Sequence, residues 1–160
     1  MKIRETILVS LYDKSKTLYA RYFKSQDAWN IAKSTLLCYP DDTLGKMLGE
    51  FLLKNNFEME AKLESHDVFH TIIGFDTKIE DEIAMQYFLL GNGKRSLYMF
   101  MVLLPATFLF PEHWNYFKKS YQFGKETPPF YHWNFLSLLD KSLQDIKQIL
   151  FNNNLKIIKQ

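Results

Sequence analysis

The sequence predicts an all-α protein, a single-domain bundle of about six to eight helices spanning residues 1–160. Three observations lead there. Apolar residues recur at steps of three and four far more than they alternate. Only 6 Gly and 5 Pro punctuate the chain, so the segments between breaks are long enough for helices. At 160 residues and 47% apolar, the chain can fill one sizeable core but not two full ones.

The elements follow in order. Residues before Ser15 fit either strand or helix, while Ser15 to Leu37 reads as one or two helices closed by Tyr39-Pro40. Asp41-Asp42-Thr43 is a helix-start cluster leading into Leu44, Met47, Leu48, Phe51 and Leu52. A third helical segment runs from Glu58 to Ile73 and ends at Gly74, a C-cap residue. Thr77-Lys78-Ile79-Glu80 matches a capping box and opens a helix to about Gly91. Gly91-Asn92-Gly93 breaks the chain. Ser96 to Phe110 is the next helix, ended or kinked by Pro105, and a short helix follows Pro111. Gly124 to Pro129 is the longest breaker. Phe135, Leu139, Leu143, Ile146 and Leu150 form a stripe that predicts a C-terminal helix, fraying from Asn152.

Composition excludes several classes. A net charge of +2, with Lys spread along the chain, supplies no basic stripe for nucleic acid. A single cysteine, Cys38, allows no internal disulfide and suits a reducing compartment. The N-terminus lacks the apolar run of a signal peptide. Leu97 to Phe110 is the most apolar stretch, shorter than the roughly 20 residues of a membrane span. It reads as a buried core helix or as a segment that meets lipid. A cytoplasmic protein is expected, with peripheral contact to the inner face of a membrane as the lipid-facing variant.

The stretch ESHDVFHTIIGFDTKIEDE, residues 64–82, carries the chemistry. Met59, Leu63, His66, His70 and Ile73 step by 4, 3, 4 and 3, so both histidines share one helical face with apolar residues. Side chains four apart on a helix stand roughly 5–6 Å from each other and can share one ion. Asp67 lies at the edge of that face. Counted from the intervening turn, Glu82 lies at a depth similar to His70, so an antiparallel hairpin would bring Glu82 to the histidine pair. Such N and O donors suit a divalent ion, Zn first, with Fe, Mn or Mg as alternatives. The fold expectation is thereby completed by a metal site at a helix hairpin. The same pattern also fits two core histidines hydrogen-bonded to Asp67 or backbone, and spacing alone leaves both readings open.

His66-Asp67-x-x-His70, then eleven residues and Glu82, is an HDxxH-x11-E pattern. It resembles the metal-ligand motif of the coenzyme Q (ubiquinone) biosynthesis protein 4 family. Tyr39-Pro40-Asp41-Asp42-Thr43-Leu44-Gly45 resembles that family's P-x-x-T-x-G segment. Glu64 occupies its acidic position before HD, and Asp81-Glu82-Ile83-Ala84 resembles its G-E-I-A helix start with Asp in place of Gly. The resemblance covers about residues 39–150. It departs in a shorter chain, in a lead reduced to Lys62, and in Asn134 after Trp133, where the family favours an acidic residue.

The resemblance implies an all-helical, metal-dependent protein of ubiquinone or related prenyl-quinone biosynthesis. It implies His66, Asp67, His70 and Glu82 as metal ligands, and a prenylated aromatic or polyprenyl lipid as ligand. It also implies peripheral membrane association and contact with other quinone-biosynthesis enzymes. The chemistry it suggests is oxidative decarboxylation and hydroxylation of a ring carbon; a non-catalytic scaffold presenting the precursor is the other reading. Tyr98, Phe100, Met101, Leu104 and Phe108 are candidates, by apolarity, to line the path of the prenyl tail. A homodimer is expected, and no nucleic acid. Two other metal-dependent classes fit poorly. An HD-type phosphohydrolase needs a histidine well before the HD pair, and none precedes His66. A di-iron carboxylate protein needs two Glu-x-x-His pairs, which the chain does not offer.

Overall fold

Thr43 shows how the chain sets its first long helix. The computed structural model describes residues 28–61 and 63–151. Seven α-helices and two 3-10 turns occur among them, with no strand beyond an isolated Thr43–Ser142 bridge. The helices are α1 (Lys33–Leu36), α2 (Leu44–Lys54), α3 (Glu64–Ile73), α4 (Ile79–Gly91), α5 (Leu97–Leu109), α6 (Trp114–Glu126) and α7 (Leu143–Phe151). The 3-10 turns are Pro111–His113 and Phe135–Leu138. The described residues divide into two compact units, one of residues 28–74 with 133–151 and one of residues 75–132. The expectations for residues 1–27 and from Asn152 onward lie outside the described residues.

In the first unit, Thr43 Oγ1 accepts from the Lys46 amide at 3.3 Å and donates to the Pro40 carbonyl at 2.7 Å, capping α2. The next two amides find partners far along the chain: Leu44 N–H donates to Lys141 O and Gly45 N–H to Leu139 O, both at 2.8 Å. A side chain at Gly45 would collide with the Tyr39 ring and with Leu139 O. Leu44, Leu48 and Leu52 are fully buried one turn apart, each burial stabilising the fold by roughly 1.5–3 kcal/mol. Helix α3 packs on α2 and α7, and Phe69 meets Phe135 edge-on at 5.4 Å.

Two sequence expectations are corrected in this unit. The third helix starts at Glu64, not Glu58. Phe57 N–H still follows α2, donating to Leu52 O at 2.8 Å, and Lys33 Nζ holds Phe57 O and the Glu58 carboxylate. Those contacts commit residues 57–58 to a non-helical course. The C-terminal stripe is likewise not one helix. Its first part is the Phe135–Leu138 3-10 turn, and α7 starts only at Leu143. The carbonyls of Leu139 and Lys141 serve α2 instead of a helix of their own, while Ser142 Oγ accepts from the Asp145 amide and restarts the coil.

In the second unit, α4 and α6 form the most extensive helix pairing. Phe88 packs edge-on against Phe123 at 5.2 Å, and Tyr87 stacks on Phe117 at 5.3 Å. The two helices come closest at Gly91 and Gly124. A methyl on Gly91 would be driven into Tyr121 O, and one on Gly124 into Phe88 O. Beyond this crossing the buried Asn92 amide donates to the carbonyls of Gly124, Thr127 and Pro128 and accepts from the Phe130 amide. That set uses every part of the side-chain amide and closes the breaker around residues 127–130. Helix α6 extends through Gly124 to Glu126, past the point where the breaker was expected to open, because Gly124 is needed for the crossing.

Helix α5 is capped by Ser96, whose Oγ accepts from the Met99 amide at 3.1 Å. It continues through Pro105 to Leu109. Met99, Leu103 and Ala106 are buried. Leu97, Phe100, Met101, Leu104 and Phe108 lie exposed on the opposite side, Phe108 at 82%. Among the described residues no helix is long and apolar enough to cross a membrane.

Candidate metal centre

Helix α3 ends where Gly74, at φ 92°, takes the left-handed conformation and donates its amide to His70 O at 2.8 Å. Glycine adopts that φ without strain. Its start has no side-chain cap, but Glu64 and Asp67 place carboxylates in the first turn, favourable to the helix dipole. Glu64 is 4% exposed, and its Oε1 accepts the Trp29 amide at 2.9 Å. The acidic position before His66 therefore anchors an incoming chain segment, a role that no local pattern signals.

His66 and His70 lie one turn apart, as their spacing predicts. Their Nε2 atoms are 3.2 Å from each other, with the rings at 73° and centroids 4.9 Å apart. His70 is buried and His66 half-buried. The Phe51 ring, from α2, stacks on His70 at 5.3 Å and 15°. That contact fixes the plane of the imidazole and was invisible in the sequence, where Phe51 was one member of an apolar stripe. Asp67 gives its backbone carbonyl to Thr71 Oγ1 at 2.9 Å.

Helix α4 begins at Ile79 with Lys78 as an N-cap that offers no side-chain bond. The expected capping box is thus corrected. Asp76 Oδ1 accepts the Thr77 amide at 2.9 Å, folding residues 76–77 into a turn of their own and leaving Thr77 one position too early to cap. The amides of Asp81 and Glu82 both donate to Lys78 O, at 3.0 and 2.9 Å. Three carboxylates, Glu80, Asp81 and Glu82, occupy this first turn.

One donor atom each from His66, His70 and Glu82 lies within 4.8 Å of the others, a group that could hold a metal ion. Asp67 is not among the three. Asp81 is committed elsewhere: Tyr116 O–H donates to its Oδ1 at 2.5 Å. Burial pushes the Asp81 carboxyl above its ordinary range, with the Tyr116 bond pulling the other way. Burial, then the bond to Asp81, pushes the Tyr116 phenol far above its ordinary range. Tyr116 therefore keeps its proton and remains the donor.

The remaining lining candidates, with the side chain of Tyr98 outside the described residues, and the chain's other two histidines sit as follows. Phe100, Met101, Leu104 and Phe108 share the exposed side of α5. His113 is half-buried against Phe110 and Phe117, and His132 is exposed beside Tyr131.

No family model matches the chain, and no curated protein matches it. A solved structure does: the crystal structure of a protein from Nostoc punctiforme, described with a provisional assignment to ubiquinone biosynthesis. The likeness has a TM-score of 0.63 at 18% identity and covers 94% of this chain and 82% of that one. At that identity the two share a fold.

Proposed function

We propose that this chain is a metal-dependent protein of ubiquinone or related prenyl-quinone biosynthesis, acting on a prenylated aromatic compound. The observation that carries the reading is the convergence of His66, His70 and Glu82 donor atoms within 4.8 Å. The shared fold with the Nostoc punctiforme protein supports the pathway.

The donor set fits a divalent ion. Two imidazole nitrogens bound at about 2.0–2.1 Å to one tetrahedral ion stand roughly 3.3–3.4 Å apart, and the Nε2 atoms of His66 and His70 are 3.2 Å apart. Two nitrogens with a carboxylate oxygen suit Zn best, with Fe and Mn as the other candidates. His66, His70 and Glu82 would hold the ion, and Asp67, in the same turn as His66, would supply a fourth oxygen. When bound, the ion would polarise the ring carboxylate or its neighbouring oxygen as a Lewis acid. The chain's own part is positioning: Phe51 keeps the His70 ring in plane, and the Gly74 turn ends α3 directly after the motif.

The apolar side of α5 offers a surface for the prenyl tail and for peripheral contact with a membrane. Leu97, Phe100, Met101, Leu104 and Phe108 expose it, and the span from Gly93 to Phe110 contains no acidic residue. This exposed side also favours a second reading, a non-catalytic carrier that presents the prenylated precursor to other enzymes of the pathway.

Mass spectrometry of lipid extracted from the purified protein tests both. A prenylated phenol or benzoate is expected. Its conversion by metal-loaded protein assigns an enzyme, and binding without conversion assigns a carrier. Extraction of ordinary phospholipid alone would overturn the pathway.

A further inference from the structure

The first turn of α4 lacks the side-chain cap that usually steadies a helix start. It is tied down in another way. Tyr116, 7% exposed on α6, donates its hydroxyl to Asp81 Oδ1 at 2.5 Å. At the other end of the same helix, Gly91 lies against α6 so closely that a methyl would meet Tyr121 O. Helix α4 is therefore pinned to α6 near both ends: by a hydrogen bond at its start and by backbone contact at its finish. A helix held at two points along one partner cannot turn about its axis. Glu82 follows Asp81 by one residue, about 100° around the helix at 3.6 residues per turn. With Asp81 held on α6, the direction of Glu82 is set as well.

We propose that Tyr116, acting through Asp81, is a positioning residue for Glu82 in the metal centre. The inference rests on the metal-site reading above. It also gives two neighbouring carboxylates distinct places: Asp81 holds the helix and Glu82 reaches the ion. Partners bonded directly to a metal ligand change affinity by about 10–100-fold, and a contact one residue removed belongs at the low end of that range.

Titration with Co(II), read by its visible absorption, tests the proposal in wild type, Tyr116→Phe, Asp81→Ala and Asp81→Asn. Wild type is expected to give a ligand-field spectrum and a measurable Kd. Tyr116→Phe weakens that Kd about tenfold and alters the band shape, because Glu82 is no longer held. Asp81→Asn keeps an acceptor oxygen and retains the wild-type spectrum. Asp81→Ala removes the same contact from the other side and reads it if Tyr116→Phe does not fold. Ser96→Ala is the control: it removes the cap of α5 and touches neither pin of α4, lowering Tm without changing Kd. Equal Kd in wild type, Tyr116→Phe and Asp81→Ala overturns the positioning role while leaving the metal centre standing. An equal loss of affinity in Ser96→Ala also overturns it, since general loosening then suffices. Absence of any Co(II) spectrum in wild type overturns the metal centre itself, and the inference with it.

Discussion

The Nε2 atoms of His66 and His70 face each other at 3.2 Å across one turn of α3. Either an Nε2–H···Nε2 hydrogen bond or one shared ion accounts for this convergence, and metal analysis separates the two. The separation is the one that a shared tetrahedral ion would impose, to within about 0.2 Å. Elemental analysis of purified protein is expected to find close to one divalent ion per chain. His66→Ala and His70→Ala should each lower affinity by at least about 100-fold, more than outer contacts carry. Glu82→Gln should follow them, and Asp67→Asn should cost less. Equal metal content in wild type and the double alanine variant would sink the site.

Gly91 and Gly124 let α4 and α6 approach until each backbone touches the other. Gly91→Ala and Gly124→Ala each press a methyl into a carbonyl oxygen, which cannot swing aside as a side chain would. Overpacking of this kind costs about 1–3 kcal/mol, and these positions belong at the upper end. At roughly 2–4 °C per kcal/mol for a chain of this size, thermal unfolding should shift down by about 6–12 °C. A shift below about 2 °C would show that the helices separate at little cost.

Lys147 on α7 supplies a pH signature. Burial lowers its pKa from an ordinary value of 10.5. The folded state thus disfavours the charged amine more than the unfolded state does. Below the folded pKa this weakens the fold, and the loss is relieved as pH rises through that pKa toward 10.5. Lys147→Met should therefore unfold at a higher temperature than wild type at pH 7, with the gain narrowing as pH approaches 10.5. A gain that is constant across this range would mean that packing, not charge, is responsible.

Leu104 and Phe108 stand on the exposed side of α5, Leu104 at 62% exposure and Phe108 at 82%. Leu104→Asn with Phe108→Ser removes apolar surface without opening the core, so stability should stay within about 0.5 kcal/mol of wild type per site. Lipid recovered from the purified variant, quantified by mass spectrometry, should fall severalfold. Undiminished lipid would place the prenyl tail elsewhere on the protein.

Much of the helical frame was legible because its signals are local. Thr43 caps α2, Gly74 closes α3, Ser96 caps α5, and each acts through atoms within four residues of itself. The misplaced boundaries share one cause, competition for a backbone or side-chain group. Asp76 took the amide of Thr77, displacing the capping box by one residue. The carbonyls of Leu139 and Lys141 were recruited by α2, which split a stripe that reads as one helix. Gly124 looked like a breaker and serves a helix crossing instead.

The candidate centre divides in the same way. Spacing by itself put His66 and His70 on one face and Glu82 in the first turn of the next helix, because a 3.6-residue period converts sequence offsets into directions. It could not decide that Phe51 would stack on His70, that Glu64 would hold the Trp29 amide, or that Asp81 would be claimed by Tyr116. Each of those partners lies between 19 and 35 residues away. Contacts over that range exist only after separate helices have packed. The sequence determined the helices and the chemistry offered by one motif; the tertiary structure decided which carboxylate bonds Tyr116 and which joins the two histidines in a group that could hold a metal.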